Sequence, residues 1–369
     1  MNTITVPGAD ASGTEEEVAA VTAVLRSGQL ANGSQARSLE SEFTALCNGA
    51  TAVAVSSGTD ALYVSGRALS IKPSDLVVVP GYTFAATANA FLSLGARVLP
   101  VDVDPTTFNI DPELLAAVLN DRSDVRCVVV VDLYGSTAGT TEAILAAREA
   151  GVPVIEDACQ AHGATDTAGT PIGARADFTA FSLYASKNVS AGEGGVITTP
   201  DPKMAQLARL LRNHGCDDQY QHEIVGLNHR LPEMEAALAL CRMKRLAEMN
   251  LLRRRNAALV SKWCIDEWPG VVVPTVMLEG SHVFHQFTVV CPDVTKRDAT
   301  VKGLRDRGVD ARVYYPYALT DLPGVDSAHL PVSKSLTNLV FSLPVQPRLT
   351  PQQMEVLHDA IQAVSKEWH

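Results

Sequence analysis

One lysine in this chain stands where its amine could act as a nucleophile rather than as a solvated charge. Lys187 lies in FSLYASKN (181–188), a Ser-x-x-x-x-Lys-Asn string just past the strand-like run ADFTAFS. Upstream, VIEDACQAHGA (154–164) carries an acid, Asp157, at the end of a second apolar run. A lysine that can form an imine and an acid that can hold a pyridinium nitrogen are what pyridoxal phosphate requires of a protein. The pair points to amine chemistry. Taken alone, a lysine is ordinarily a surface residue and an Asp after a strand an ordinary cap, so the context has to decide.

That context is a regular one. From residue 51 short apolar runs alternate with helical periods: TAVAVS, TDALYVSGRAL, DLVVVP, FAATANAFLSLG and ARVLPVD, then DPELLAAVLN, RCVVVVDLYG, TTEAILAAREAG and VPVIED. Runs such as VVVVD are continuously apolar, the pattern of strands covered by helices on both faces. Strand, crossover helix and strand in repetition predict an open, mainly parallel α/β sheet. Ligands of such sheets bind beyond the carboxyl ends of the strands, where Asp157 and Lys187 both fall. Ahead of the sheet, TEEEVAAVTAVLRSG (14–28) reads as a helix capped by Thr14 and closed by Gly28. Residues 231–260 carry an unbroken helical pattern after Pro232, long enough to bridge two domains. Beyond it, VFHQFTVV, TKRDATVKGLRDRG and TPQQMEVLHDAIQAVSKEW predict a smaller α+β domain. The expected division is a large α/β domain with an N-terminal helical segment over 1–250 and the small domain over 251–369.

Composition removes several function classes. The 369 residues are 46% hydrophobic and 19% charged, ordinary for a globular protein of two unequal domains. A net charge of −11 would repel polyphosphate, so neither nucleic acid nor an anionic membrane is an expected partner. No apolar stretch approaches the roughly 20 residues that span a bilayer. The N-terminus lacks a basic start followed by an apolar core, so no signal peptide is expected. The seven cysteines have no C-x-x-C spacing and no even count, which argues against a disulfide framework and for the cytoplasm. No metal site is expected.

The strings SSGTDAL (56–62), GYTFAATANAFLSLGARVLPVDVDPTTFNID (81–111), DLYG (132–135), EDACQAHGA (156–164), FSLYASKNVSAGEGG (181–195), RNHG (212–215), GLNHR (226–230) and HVFHQF (282–287) occur in this order. As a set they resemble the DegT/DnrJ/EryC1/StrS family of pyridoxal-phosphate-dependent sugar aminotransferases, from about Leu30 to Pro344. The resemblance implies fold type I, with Lys187 as the cofactor-binding lysine and proton carrier and Asp157 as partner of the pyridine nitrogen. Glu156, on the opposite face of the same strand, is not expected to be that partner. Gly58 and Thr59 open a helix after a strand and can offer N–H groups to the cofactor's phosphate, though a plain capped turn reads the same. By resemblance Ser182 adds a second hydroxyl there, Gln160 reaches the phenolic oxygen, and Phe84 stacks on the ring. Asn228 matches an asparagine that reaches the phosphate from a neighbouring subunit, which implies a homodimer with active sites at the interface.

Substrate-side candidates are Tyr184, His162, Arg230 and Tyr314. His162 is as readily a structural histidine, and Arg230 a fork for a carboxylate. Arg212, His214, Tyr220 and His222 belong to the same polar stretch as Arg230, for which a solvated loop is the competing account. Tyr314 stands where many members have histidine, in VYYPYAL, and an Asp usual after DLYG is absent near Gly139. The expected reaction moves an amino group from glutamate or glutamine to a keto sugar, nucleotide-linked in the usual case, or to a keto-cyclitol, in amino-sugar or secondary-metabolite biosynthesis. Two alternatives stand beside it. One is a dehydratase of the same family that keeps the lysine, like the aminohydroxybenzoate synthases; the other is a non-catalytic regulatory member.

Overall fold

Runs of valine, isoleucine, alanine and phenylalanine form the strands that carry the site. The computed structural model describes residues 4–9, 12–217, 220–276, 278 and 280–368. Seven of its strands make one sheet: β1 (Thr51–Val55), β2 (Leu76–Pro80), β3 (Arg97–Val101), β4 (Val125–Val131), β5 (Val154–Asp157), β6 (Phe178–Ser182) and β7 (Gly195–Thr199). Their spatial order is β1-β7-β6-β5-β4-β2-β3. Strand β7 runs antiparallel to both neighbours, and every other pair is parallel. Strands β2, β5, β6 and β7 are buried along their whole length, as the continuous apolar runs require.

Helices cover both faces. The first two, α1 (Glu15–Ser27) and α2 (Ser34–Leu46), precede the sheet. Thr14 closes a capping box on α1, and Gly28 ends it in the left-handed conformation. Helices α3 (Gly58–Ala68) and α4 (Ala86–Leu92) pack Leu62, Val64 and Phe91 onto one face of the sheet. On the other face, α5 (Pro112–Asp121) and α6 (Thr140–Glu149) bury Leu115 and Ile144 against Val78 and Val130. The alternation Val77 to one side and Val78 to the other is the two-residue period of a strand. Helix α7 (Pro202–Arg212) joins the first face, and α8 (Glu233–Met243) lies beside α1 and α2.

The continuous helix expected over 231–260 is two helices. The chain turns at Lys244–Arg245 and restarts as α9 (Leu246–Glu267). Neither Gly nor Pro marks the break. Glu17 of α1 holds both Arg242 and Arg245 at the turn, so tertiary ion pairing sets a bend that local sequence does not signal. Leu246 packs with the large-sheet core, whereas Ala257, Val260 and Cys264 pack with a second core. Residues 250 and 251 thus lie inside α9. The second core surrounds the antiparallel pair β8 (Phe287–Val290) and β9 (Val340–Leu343), with α10 (Val294–Arg305), α11 (Pro331–Leu339) and α12 (Pro351–Ala363) nearby. There Trp268 and Trp368 stack with ring centroids 5.2 Å apart.

Candidate active site

The carboxyl ends of β1, β5 and β6 lie side by side because β1 and β6 both pair with β7, and β5 pairs with β6. Val55 and Ser182 meet Gly195 from its two sides, and Asp157 is opposite Ala180. The turns leaving these strands enclose a cleft of about 560 Å³, within the usual size of a cofactor or small-molecule site. Its lining includes Gly58, Thr59, Phe84, Asp157, Gln160, Ser182, Tyr184, Lys187 and Tyr314, nine residues singled out from sequence. Residues 313–317 and Gln286 line it too, with the Tyr315 ring against those of Tyr82 and Tyr134.

Two hydrogen bonds hold the Asp157 carboxylate. Thr87 Oγ1, on the buried side of α4, donates to Oδ2 at 2.8 Å, and the Cys159 N–H donates to Oδ1 at 3.2 Å. A carboxylate so oriented presents a fixed acceptor to a protonated ring nitrogen. Behind it, Glu156 points away from the cleft, where Arg175 Nε donates to Glu156 Oε1 at 2.6 Å and Nη2 donates to Asp132 Oδ1 at 3.0 Å. Burial, and then the Glu156 charge, push the Asp132 carboxyl well above the usual carboxylate range. Lys187 follows a turn closed by its own N–H to the Tyr184 carbonyl at 2.8 Å. Burial pulls the Lys187 amine below its ordinary pKa, and the nearby Cys159 and Asp157 restore part of that loss. A dry lysine with lowered proton affinity is a competent nucleophile and base.

Gln160 has its amide orientation decided by a backbone donor. The Tyr134 N–H gives to Oε1 at 2.8 Å, so Nε2 must face the cleft, where it donates to the Tyr315 hydroxyl at 2.9 Å. At the other end, Ser57 caps α3 by accepting from the Asp60 N–H at 3.0 Å. The N–H groups of Gly58 and Thr59 open the first turn, where a helix has no carbonyl of its own to offer them. Close approach, not flexibility, demands glycine here. A Cβ on Gly58 would lie 2.8 Å from Ser182 Cβ and 3.0 Å from Cys159 Sγ, and one on Gly195 would lie 2.3 Å from the Ser57 carbonyl oxygen. The hollow so preserved, with a helix N-terminus, two hydroxyls, a carboxylate, a desolvated amine and the half-exposed Phe84 ring, fits a phosphorylated pyridine aldehyde.

Three expected residues lie elsewhere. His162 is fully buried behind the cleft against Phe43 and Phe181, with neither ring nitrogen hydrogen-bonded, and burial pushes it down to about 3. It is a neutral packing residue and does not line the cleft. Asn228 Oδ1 accepts from the Arg230 N–H at 3.4 Å, and Asn228 does not line the cleft of its own chain. Arg230 donates to Asn213 Oδ1 at 2.9 Å and lines a separate surface cavity of about 810 Å³. Arg212, from the same stretch, is an internal strut to Glu40 Oε1 and the Ala54 carbonyl, each at 2.7 Å. Thr87 and Tyr315 were missed from sequence. Thr87 lies one helical turn after Phe84, a spacing that could have marked it; Tyr315 is distinguishable from Tyr314 only by the fold.

The match to the DegT/DnrJ/EryC1/StrS aminotransferase family covers residues 11–362. A dTDP-3-amino-3,4,6-trideoxy-alpha-D-glucose transaminase of Streptomyces venezuelae is 35% identical over 98% of this chain and 96% of its own. A UDP-N-acetyl-3-dehydro-alpha-D-glucosamine 3-aminotransferase of Acidithiobacillus ferrooxidans is 36% identical over 87% and 86%. Among solved structures, S. venezuelae DesV in complex with a ketimine intermediate superposes with a TM-score of 0.92 at 34% identity, covering 99% of each chain.

Proposed function

We propose that this chain, which belongs to the DegT/DnrJ/EryC1/StrS aminotransferase family, moves an amino group from glutamate or glutamine to a nucleotide-linked keto sugar. The observation that carries the reading is the pairing of a desolvated Lys187 amine with an anchored Asp157 carboxylate in one cleft. Relatives acting on dTDP- and UDP-sugars support the substrate class.

Pyridoxal phosphate, when bound, supplies the electron sink that makes an amino acid's α-proton removable. Asp157 would hold the ring nitrogen, Gln160 Nε2 the phenolic oxygen, and Gly58, Thr59 and Ser182 the phosphate. Lys187 Nζ would bind the aldehyde carbon and, once released, accept a proton from the donor carbon and return it to the acceptor. Phe84 and Tyr315, with ring centroids 6.2 Å apart, line the same cleft. Tyr184 and Tyr314 line the same cleft and would face the acceptor.

The same reading makes the enzyme a homodimer. Asn228 does not reach the cleft of its own chain, and the neighbouring loop exposes Tyr220 and Val225, at 87% and 76%. A second copy would cover those side chains and receive Asn228 at its phosphate. Seven free cysteines fit a reducing compartment, and we place the enzyme in the cytoplasm. No helix among the described residues is long and apolar enough to cross a membrane.

The test has two stages. Glutamate alone should convert the bound cofactor to its amine form, read by absorbance, and a panel of nucleotide keto sugars should then restore the aldehyde form. A cofactor spectrum unchanged by any amino donor would refute amino transfer.

A further inference from the structure

Lys187 has a second neighbourhood, on the side away from the cleft. There a narrow crevice of about 50 Å³ runs between the end of α8, the first turns of α9 and the segment after β9. Its lining carries Lys187, Arg242, Arg245, Arg253 and Arg348, and among the described residues lining it there is no Asp or Glu. Glu17 serves Arg242 and Arg245 together, and Arg348 Nη1 donates to the Ser12 carbonyl at 3.2 Å.

Arg253 is different. It projects from the α9 helix, which joins the two cores, and is buried to 7% exposure. Among the described residues no ion pair holds it, and its Nε has no hydrogen-bond partner there. Burial alone pulls its pKa down to about 10, with no carboxylate opposing the effect. A guanidinium removed from water without a counter-charge is costly, and proteins almost always pair it. The crevice is a few water volumes in size, so its occupant must be small.

We propose that this crevice is an anion site, in which Arg253 binds a small oxyanion (phosphate, sulfate or a carboxylate) at the junction of the two cores. The planar fork of arginine suits such a group in a bidentate way. Gln346 and Arg348 approach from the small-core side, and Arg245 and Ser190 from the large-core side. An occupant there ties the two cores together beside the reactive lysine without entering the cofactor's hollow.

The experiment uses the cofactor-loaded full-length protein, so that added phosphate cannot occupy the cofactor's own phosphate position. Thermal melts are recorded at constant ionic strength while chloride is replaced by inorganic phosphate, sulfate or glutarate. The expected result is a saturable rise of about 2–5 °C with at least one of these ions, absent in Arg253→Met. The three arms identify which oxyanion class is preferred. A wild-type protein indifferent to all three, or an Arg253→Met protein that responds as wild type does, overturns the proposal. Should that variant not fold, wild-type crystals grown with selenate decide by anomalous scattering. A peak within hydrogen-bond distance of the Arg253 guanidinium is expected, and its absence overturns the site.

Discussion

Lys187 works only while its amine is kept dry and its neighbours stay in place. Lys187→Ala should lower kcat by about 10³-fold or more while leaving the far-ultraviolet circular dichroism unchanged, because the side chain contributes chemistry and little packing. Its depressed pKa also has a stability consequence in the cofactor-free chain. There the folded state binds fewer protons than the unfolded chain between the folded and unfolded lysine pKa values, so stability rises with pH through that window. Cofactor-free Lys187→Met should therefore melt higher than wild type at neutral pH, and the gap should close above the ordinary lysine pKa. An undiminished gap at high pH would mean that the substitution acts through packing instead. Thr87 acts at one remove, through Asp157. Thr87→Val removes one hydrogen bond to a carboxylate and should weaken cofactor binding about tenfold in a fluorescence titration.

At the scale of elements, the site depends on how closely α3 approaches β6. Gly58→Ala would press a methyl group to 2.8 Å from Ser182 Cβ, and the start of the helix must retreat. The expected cost is about 1–3 kcal/mol of stability, with a larger proportional loss of cofactor affinity than of melting temperature. A loss of stability without loss of affinity would show that the phosphate is held elsewhere. Packing also sets the acid response of the buried histidines. His162 and His282 are pushed from an ordinary value of 6.5 down to about 3 by burial. Folded chains then bind fewer protons than unfolded ones between those values, so stability is lost as pH falls from 6.5 toward 3. His162→Phe, a ring among rings, should flatten the decline of melting temperature between pH 7 and pH 5.

At the scale of the whole molecule, the question is what completes a site whose expected phosphate contact, Asn228, faces outward. Mixed dimers answer it. Lys187→Ala and Asn228→Ala subunits, each nearly inactive alone, should on exchange regain about a quarter of wild-type activity, since half the dimers then hold one intact site. Activity no higher than the average of the two separate variants would place Asn228 outside any shared site. The alternation of strand and helix was legible in sequence because each period reports local burial, and the Thr14 and Gly28 caps because they are local chemistry. Less was legible where contacts are remote. Helix α7 and strands β7 and β9 drew no reading, and the bend at Lys244–Arg245 depends on Glu17, more than two hundred residues away.

Sequence by itself determined the chemistry: one lysine, one acid, a glycine-led helix start and an aromatic, in an order that specifies a cofactor and a family. These were readable because each role demands a residue type at a strand end, and strand ends are marked by periodicity. Only the tertiary structure decided which neighbours orient those groups. It brought Thr87 to Asp157 and Tyr315 to Gln160, turned His162 into the core, and left Arg253 buried with no acid paired to it among the described residues. The physical reason is that hydrogen-bond partnership and desolvation are set by side chains meeting across the fold, and separation along the chain does not encode which of them meet.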